Sequence, residues 1–498
     1  MTSAETVAEL QGSGGLSADA ATLAEYGRDV SFVNAVQPAY VISPSDGQQV
    51  QKLVRLANET KTPLVPVSSG PPHFRGDTVP SIGGAIVVDL SDMKRIVFVD
   101  RPRRVAMVEP GVTFGELIPA ATREGIRLNL PLLPRSTKSV VGSLLEREPV
   151  VMPKYQWDIS DPLACLGVVF GNGEEFRTGQ AAGPGTLEEQ WAVGGVQKAP
   201  YGPHIAAWHR LIQGAQGTMG IVTWASLRCE LLPQLEEPFV VGSSQVDAVL
   251  ELAAWLIRLR AVNECFILSA ASLATIFSDE WSAEYDDVRD RLPEWILFYT
   301  VAGYDYFPEE RVSSYIKEIT ALTQRLGLQP KRAVGALSAD EILEVVQQPS
   351  RDPYWKLRPK GACEDVFFLT TDDKVPALAA DVAEFPHDLP LLSRERVAAR
   401  PLVRLQRLAA RAALDRVSGR QEPLHEEGRA VLLGEGPLAL TAAVPGIRRE
   451  DVAVDDLALL HHVRSAPEGR PAPVSPGSLR SACWRPRTSR VGLSARIS

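Results

Sequence analysis

The sequence predicts an α+β protein of at least two domains, and three observations carry that reading. At 498 residues the chain is longer than one hydrophobic core organises. Its first half opens as strand, helix, strand and continues in closely spaced β-rich stretches. After Pro233 the rhythm changes to strands separated by long helices, the pattern of an antiparallel sheet with helices on one face.

The elements follow in order. Residues 1–30 are small and polar and are expected to form a flexible arm. Ala39 to Ile42 is a short apolar strand. Ser45 and Gln48 have capping-box spacing and open a helix that carries Val50, Leu53, Val54 and Ala57 on one face. Leu64 to Val67 is the next strand, closed by the loop SSGPPHFRGD (Ser68 to Asp77). Three β-rich stretches come next, at Ala85 to Leu90, Arg95 to Asp100 and Val105 to Val108. Thr113 and Glu116 cap a helix bearing Phe114, Leu117, Ile118 and Ala121. Ala164 to Phe170, the Asn172-Gly173 turn and Glu175 to Thr178 form a hairpin. A helix around Pro203 to Gln213 and the segment QGTMGIVTWASLRCELLP end this half. The second half is expected to hold strands at Phe239 to Val241, Glu264 to Leu268, Trp295 to Val301 and Asp365 to Thr371. Helices are expected at Ala248 to Val262 and Arg311 to Leu326.

The last stretch differs in composition. No lysine follows Lys374, no phenylalanine follows Phe385, and residues 386–498 repeat Arg, Ala, Pro and Leu. A natural, disordered low-complexity tail explains this. So does a reading frame shifted near residues 374–388, since GC-rich DNA read out of frame gives such a composition, and that reading accounts for more of it.

Several function classes are excluded. A net charge of -9 with no basic stripe in the first 380 residues argues against nucleic acid. No apolar run is long enough for a membrane helix, and MTSAETVAELQGSGG lacks the regions of a secretory signal, so a cytoplasmic protein is expected. The five cysteines are scattered without a CxxC pair, which argues against a metal site and for buried reduced thiols.

The glycine-bearing loop SSGPPHFRG follows a strand but precedes no helix, so it is not a dinucleotide turn of the kind that sets a pyrophosphate on a helix N-terminus. Backbone N–H groups and hydroxyls of such a loop can still hold phosphate. The blocks after it are VVDLSDMKRIVFVD, VAMVEPGVTFGELIPAATREGIRL, STKSVVGS, GVVFGNGEEFRTG and GTMGIVTWASL. Over about 200 residues these resemble, in order, the vanillyl-alcohol oxidase and p-cresol methylhydroxylase (PCMH) superfamily of FAD enzymes, which includes glycolate and D-lactate oxidase or dehydrogenase subunits.

That resemblance implies a two-subdomain PCMH-type FAD-binding domain at residues 31–235, a substrate cap domain at 236–385 and the odd tail at 386–498. It places Ser68, Ser69, Gly70, His73, Phe74, Arg75 and Gly76 in the pyrophosphate loop. Ser136, Ser139, Val140, Gly142 and Ser143 fall in a second flavin-contacting loop, and Gly217, Gly220, Ile221 and Val222 in the segment over the adenine side. Glu109-Pro110-Gly111 matches a strand end that serves either as a structural turn or as a cofactor contact. Pro71 and Pro72 remove two N–H donors from the first loop. His73 does not align cleanly with the histidine that many relatives link to FAD, and a histidine that bonds phosphate or backbone is the alternative.

The family's chemistry is hydride transfer to flavin N5, with a base near the substrate and cations for an anionic one. The phenol-oxidising branch uses a carboxylate in the second loop, yet Leu128 to Ser139 contains no acid, only Arg135 and Lys138. The candidate catalytic residues are Tyr155 and Asp158 in MPKYQWDISDP, and Arg351 and Lys356 in the aromatic and basic stretch Ser350 to Thr371, which also holds Arg358. No histidine metal motif is visible. The expected function is oxidation of a small hydroxylated substrate, a 2-hydroxy acid first. The alternatives are a phenolic or aryl alcohol, and a flavin-fold protein with incomplete catalytic machinery. A separate electron-acceptor protein and a homo-oligomer are both compatible with the resemblance.

Overall fold

The first sheet explains how the phosphate-loop candidate is presented. In the computed structural model it has the order β1-β2-β4-β3, formed by Gly15–Ser17, Tyr40–Ser43, Ile86–Asp89 and Leu64–Val67. β2 and β3 both run parallel to β4, and β1 is antiparallel to β2. The structure describes residues 14–30, 35–74, 77–153, 162–202, 206–278, 283–358, 365–366, 370–383 and 442–443. The chain divides into two compact units, residues 1–452 and 453–498, and every described residue lies in the first.

The flexible arm expected over residues 1–30 is corrected from Gly14 onward. β1 pairs with β2, and helix α1 (Ala20–Tyr26) follows with the Asp19 carboxylate accepting from Ala21 and Thr22 N–H. Tyr26 then donates to Asp89 Oδ2 at 2.8 Å, which fixes the end of α1 to the end of β4.

Helix α2 (Gly47–Thr60) buries Val50, Leu53, Val54, Leu56 and Ala57, as the periodicity predicts. Its cap is Asp46, which accepts from Gln49 N–H, while Gln49 accepts from Ser45 N–H; the cap lies one residue beyond the expected one. The buried stripe packs on Ile42, Ile86 and Val88 of the first sheet and on Val169 and Ile221 of the second. Burial of each such side chain contributes about 1.5–3 kcal/mol, so α2 joins the two sheets.

The second sheet has the order β5-β6-β10-β8-β9, from Ile96–Asp100, Val105–Val108, Gly220–Arg228, Leu163–Phe170 and Glu175–Arg177, and is antiparallel throughout. The β8–β9 hairpin forms as expected, with Gly173 at φ +82° in its turn. Helix α3 (Phe114–Arg123) has the predicted capping box, with Thr113 N–H on Glu116 Oε2 at 3.0 Å. The helix expected from Pro203 to Gln213 is only His209–Ile212 among the described residues.

The third sheet follows a short strand pair, Ile126–Arg127 (β7) with Glu230–Leu231 (β11). Its strands Leu235–Ser243 (β12), Cys265–Ser269 (β13) and Trp295–Gly303 (β14) are antiparallel in the order β12-β14-β13. The expectation of helices on one face is corrected here. One face packs on the helices Val246–Leu259 and Pro308–Arg325, and the other on Ala270–Phe277 and Ala339–Val346. All nine residues of β14 are buried, so the run WILFYTVAG has the continuous apolarity of a strand covered on both sides. The strand expected at Asp365 to Thr371 is described only as Asp365–Val366, paired with Ala442–Ala443; residues 367–369 lie outside the described residues. No helix among the described residues is long and apolar enough to cross a membrane.

Candidate functional site

Two loops far apart in sequence are fastened side by side. The first leaves β3 at Ser68; the second runs from Leu128 into helix α4 (Val140–Glu146). Gly70 N–H donates to Thr137 O at 2.9 Å and Ser139 N–H to Ser69 Oγ at 3.0 Å. Thr137 Oγ1 donates to Pro71 O at 2.8 Å and Arg135 Nη1 to Gly70 O at 3.1 Å. With a net of roughly 0.5–1.5 kcal/mol each, these bonds hold the two loops in one register.

Glycines stand where the loops touch. A Cβ on Gly70 would stand 3.3 Å from Thr137 Cβ, and one on Gly142 would stand 3.2 Å from Ser68 Oγ. Ser139 caps α4 by accepting from Gly142 N–H at 2.9 Å, and its own hydroxyl donates to Pro110 O. The Glu109-Pro110-Gly111 turn is structural. Glu109 accepts from Arg95 N–H and pairs with its guanidinium, and a Cβ on Gly111 would fall 2.5 Å from Ser91 O.

The second loop also grips the third sheet. Leu133 is buried at φ +44°, a left-handed backbone that costs about 1–2 kcal/mol for a residue with a Cβ. It packs with Val240, Leu268, Phe298 and Trp355. Ser350 N–H donates to Pro134 O at 2.8 Å, and Ser350 pairs with Arg135 as a parallel bridge. The Phe74 ring contacts both the Arg135 guanidinium, 4.7 Å away, and the Tyr354 ring, 5.4 Å away at a steep angle.

Buried polar groups gather at this seam. His73 is 5% exposed, its Nδ1 has no partner among the described residues, and burial with the nearby Arg135 charge pushes its pKa down to about 4. Its ring lies 5.7 Å from Tyr26, whose hydroxyl is held protonated by burial and by Asp89. Arg135 is 7% exposed, and burial lowers its pKa. Trp355 is buried with Nε1 unpartnered among the described residues.

The structure thus brings Ser68, Ser69, Gly70, His73 and Phe74 to the stretch that holds Arg135, Thr137, Ser139 and Gly142, whereas Ser136 O accepts from Gly115 N–H and Val140 packs in the core under α3. Ser143 is turned to Glu148, to which its hydroxyl donates at 2.6 Å. Gly217, at φ +77°, packs against Pro66 just before the first loop. Gly220 begins β10, and the side chains of Ile221 and Val222 are spent in the two cores flanking α2 and α3. Lys138 is buried against Glu146 at 2.6 Å. Lys356 lies over the Trp355 ring at 5.2 Å, and Arg358 donates to Ile276 O and Pro353 O. Arg351 is exposed on the same segment. Arg75, Gly76, Tyr155 and Asp158 lie outside the described residues. Sequence reasoning missed Thr137, Leu133 and Tyr354. Among the described residues no cluster of His, Cys, Asp and Glu could hold a metal.

Residues 38–179 match the FAD binding domain family. This stretch is an FAD binding domain. It is 28% identical over 232 residues to the flavoprotein subunit of 4-cresol dehydrogenase [hydroxylating] from Pseudomonas putida, covering 45% of this chain and 41% of that protein. It is 26% identical over 239 residues to glycolate oxidase subunit GlcD of Bacillus subtilis, covering 48% and 46%. The chain thus spans under half the length of these two relatives. The fold matches substrate-bound p-cresol methylhydroxylase with a TM-score of 0.62 at 19% identity, over 76% of each chain.

The described residues fit a flavin dinucleotide. The glycines at both loop contacts let the two backbones pack closely, and the buried, unpartnered His73 Nδ1 offers a polar group at the same seam.

Proposed function

We propose that this chain is an FAD-dependent oxidoreductase that oxidises the CH–OH group of a small hydroxylated substrate, with 2-hydroxy acids as the leading class. Bound FAD supplies the hydride acceptor. Ser68, Ser69, Gly70, His73, Phe74, Arg75 and Gly76 would hold its phosphates. Ser136, Ser139, Val140, Gly142 and Ser143 would line the flavin, and Gly217, Gly220, Ile221 and Val222 would pass the adenine side through their backbone. Residues 31–235 form the FAD-binding part and 236–385 the cap in this reading. Arg351 and Lys356, on the cap segment that Ser350 ties to the second loop, would hold an anionic substrate, and Tyr155 and Asp158 remain candidates for the proton transfer.

One observation carries the substrate class. The second loop has no acid from Leu128 to Ser139, and a buried cation, Arg135, stands where it meets the cap. A phenolic or aryl alcohol is the second reading, favoured by the likeness to 4-cresol dehydrogenase and p-cresol methylhydroxylase. The protein would act in the cytoplasm and pass electrons to oxygen or to a separate acceptor protein. Turnover of FAD-loaded protein with a dye acceptor, across a panel of 2-hydroxy acids and 4-alkylphenols, tests this. Activity confined to the phenols selects the second reading, and no activity with either panel rejects both.

A further inference from the structure

We infer that Arg135 is the specificity-determining residue of this site, holding the carboxylate of the substrate where the flavin loops meet the cap. This rests on the proposed oxidation of a 2-hydroxy acid. The guanidinium is 7% exposed and uses one N–H, from Nη1, on Gly70 O. The guanidinium also lies over the Phe74 ring face. Among the described residues no carboxylate lies within ion-pairing distance of it. The acids that act on it do so from farther away: Asp77, Glu148, which accepts from Ser143 Oγ, and Glu146, which pairs with Lys138.

A buried cation without a counter-ion is unfavourable, and a planar fork of donors matches one carboxylate in bidentate fashion. Two neighbouring cations show the contrast: Lys138, also buried, lies 2.6 Å from Glu146, and Arg127 lies 2.8 Å from Glu236 and 3.1 Å from Glu264. Arg135 is also placed for a substrate. It pairs with Ser350 of the cap segment, and Phe74 contacts both it and Tyr354, so the charge lies on the seam and not along the phosphate loop alone.

The same chemistry would bind the pyrophosphate of FAD, and the experiment separates the two anions. The FAD-loaded wild type, Arg135→Met and Arg135→Lys are titrated with oxalate, read by perturbation of the flavin absorbance. FAD affinity is measured separately on the apo-proteins. Oxalate affinity is expected to fall roughly 10- to 100-fold in Arg135→Met and to recover in part in Arg135→Lys. FAD affinity is expected to fall by less than about tenfold, the loss of the bond to Gly70 O included. The preference for a 2-hydroxy acid over its methyl ester, read as a ratio of kcat/KM, should collapse in Arg135→Met, which a merely structural role would not produce. Unchanged oxalate affinity in both variants overturns the inference. So does a fall in FAD affinity of about tenfold or more with oxalate binding intact, which would assign Arg135 to the pyrophosphate. A wild-type protein that binds FAD but neither oxalate nor any 2-hydroxy acid overturns the functional reading, and this inference with it.

Discussion

Replacing Gly142 by leucine should separate the two loops and weaken FAD binding without unfolding the protein. Gly142 is in the first turn of α4, where its ideal Cβ stands 3.2 Å from Ser68 Oγ and 3.3 Å from Ser139 Oγ. A methyl group alone requires a shift of a few tenths of an ångström. Alanine also gains about 1 kcal/mol of helix propensity over glycine, so Gly142→Ala should be nearly neutral. Leucine adds three carbons beyond that contact, and overpacking of this kind costs about 1–3 kcal/mol. The strain falls on the Ser68 side, because Ser139 is held by its bonds to Pro110 O and Gly142 N–H. If all of it is drawn from FAD binding, affinity drops by roughly 5- to 150-fold. Flavin titration of the apo-protein measures this, with far-ultraviolet circular dichroism as the check on folding. A folded Gly142→Leu protein that binds FAD as tightly as wild type would refute the assignment of the two loops.

Two further outcomes are expected. Arg127→Ala leaves Glu236 and Glu264 buried at the β7–β12 junction without their shared cation, and should cost about 3–5 kcal/mol in denaturant unfolding; a cost under about 1 kcal/mol contradicts that account. The pKa values of His73 and His209 are both pushed down to about 4, chiefly by burial, from an ordinary 6.5. The unfolded chain therefore takes up protons between those values that the folded chain refuses. Stability is full above pH 6.5 and is lost as pH falls toward 4. Thermal melts of the apo-protein across that range should show the loss, and His209→Gln should reduce the slope. An unchanged slope in that variant would exclude His209 as a contributor.

Much of the fold was legible because it is local. The stripe on α2, the Thr113–Glu116 box and the Asn172-Gly173 turn each follow from residues a few positions apart. Helix α1 was legible too, since Asp19 opens a stretch with Leu23 and Tyr26 three apart, yet the small polar residues around it read as an arm. The apolar run of β14 carried the double-sided burial that the one-face expectation overlooked. The site was legible as a set of blocks and not as an arrangement. Ser69 and Ser139 are 70 positions apart, and nothing near either of them announces their bond. Leu133 takes a left-handed backbone only because the third sheet buries it. Arg135 and Lys138 look alike in sequence. Space distinguishes them, since Glu146 comes back to Lys138 and no described acid reaches Arg135.

The most direct test of the account is anaerobic mixing of the FAD-loaded protein with a 2-hydroxy acid while the oxidised flavin band is followed. Bleaching is expected at a rate that saturates with substrate and is slowed in Arg135→Met. A flavin that stays oxidised with every 2-hydroxy acid but bleaches with a 4-alkylphenol would contradict it.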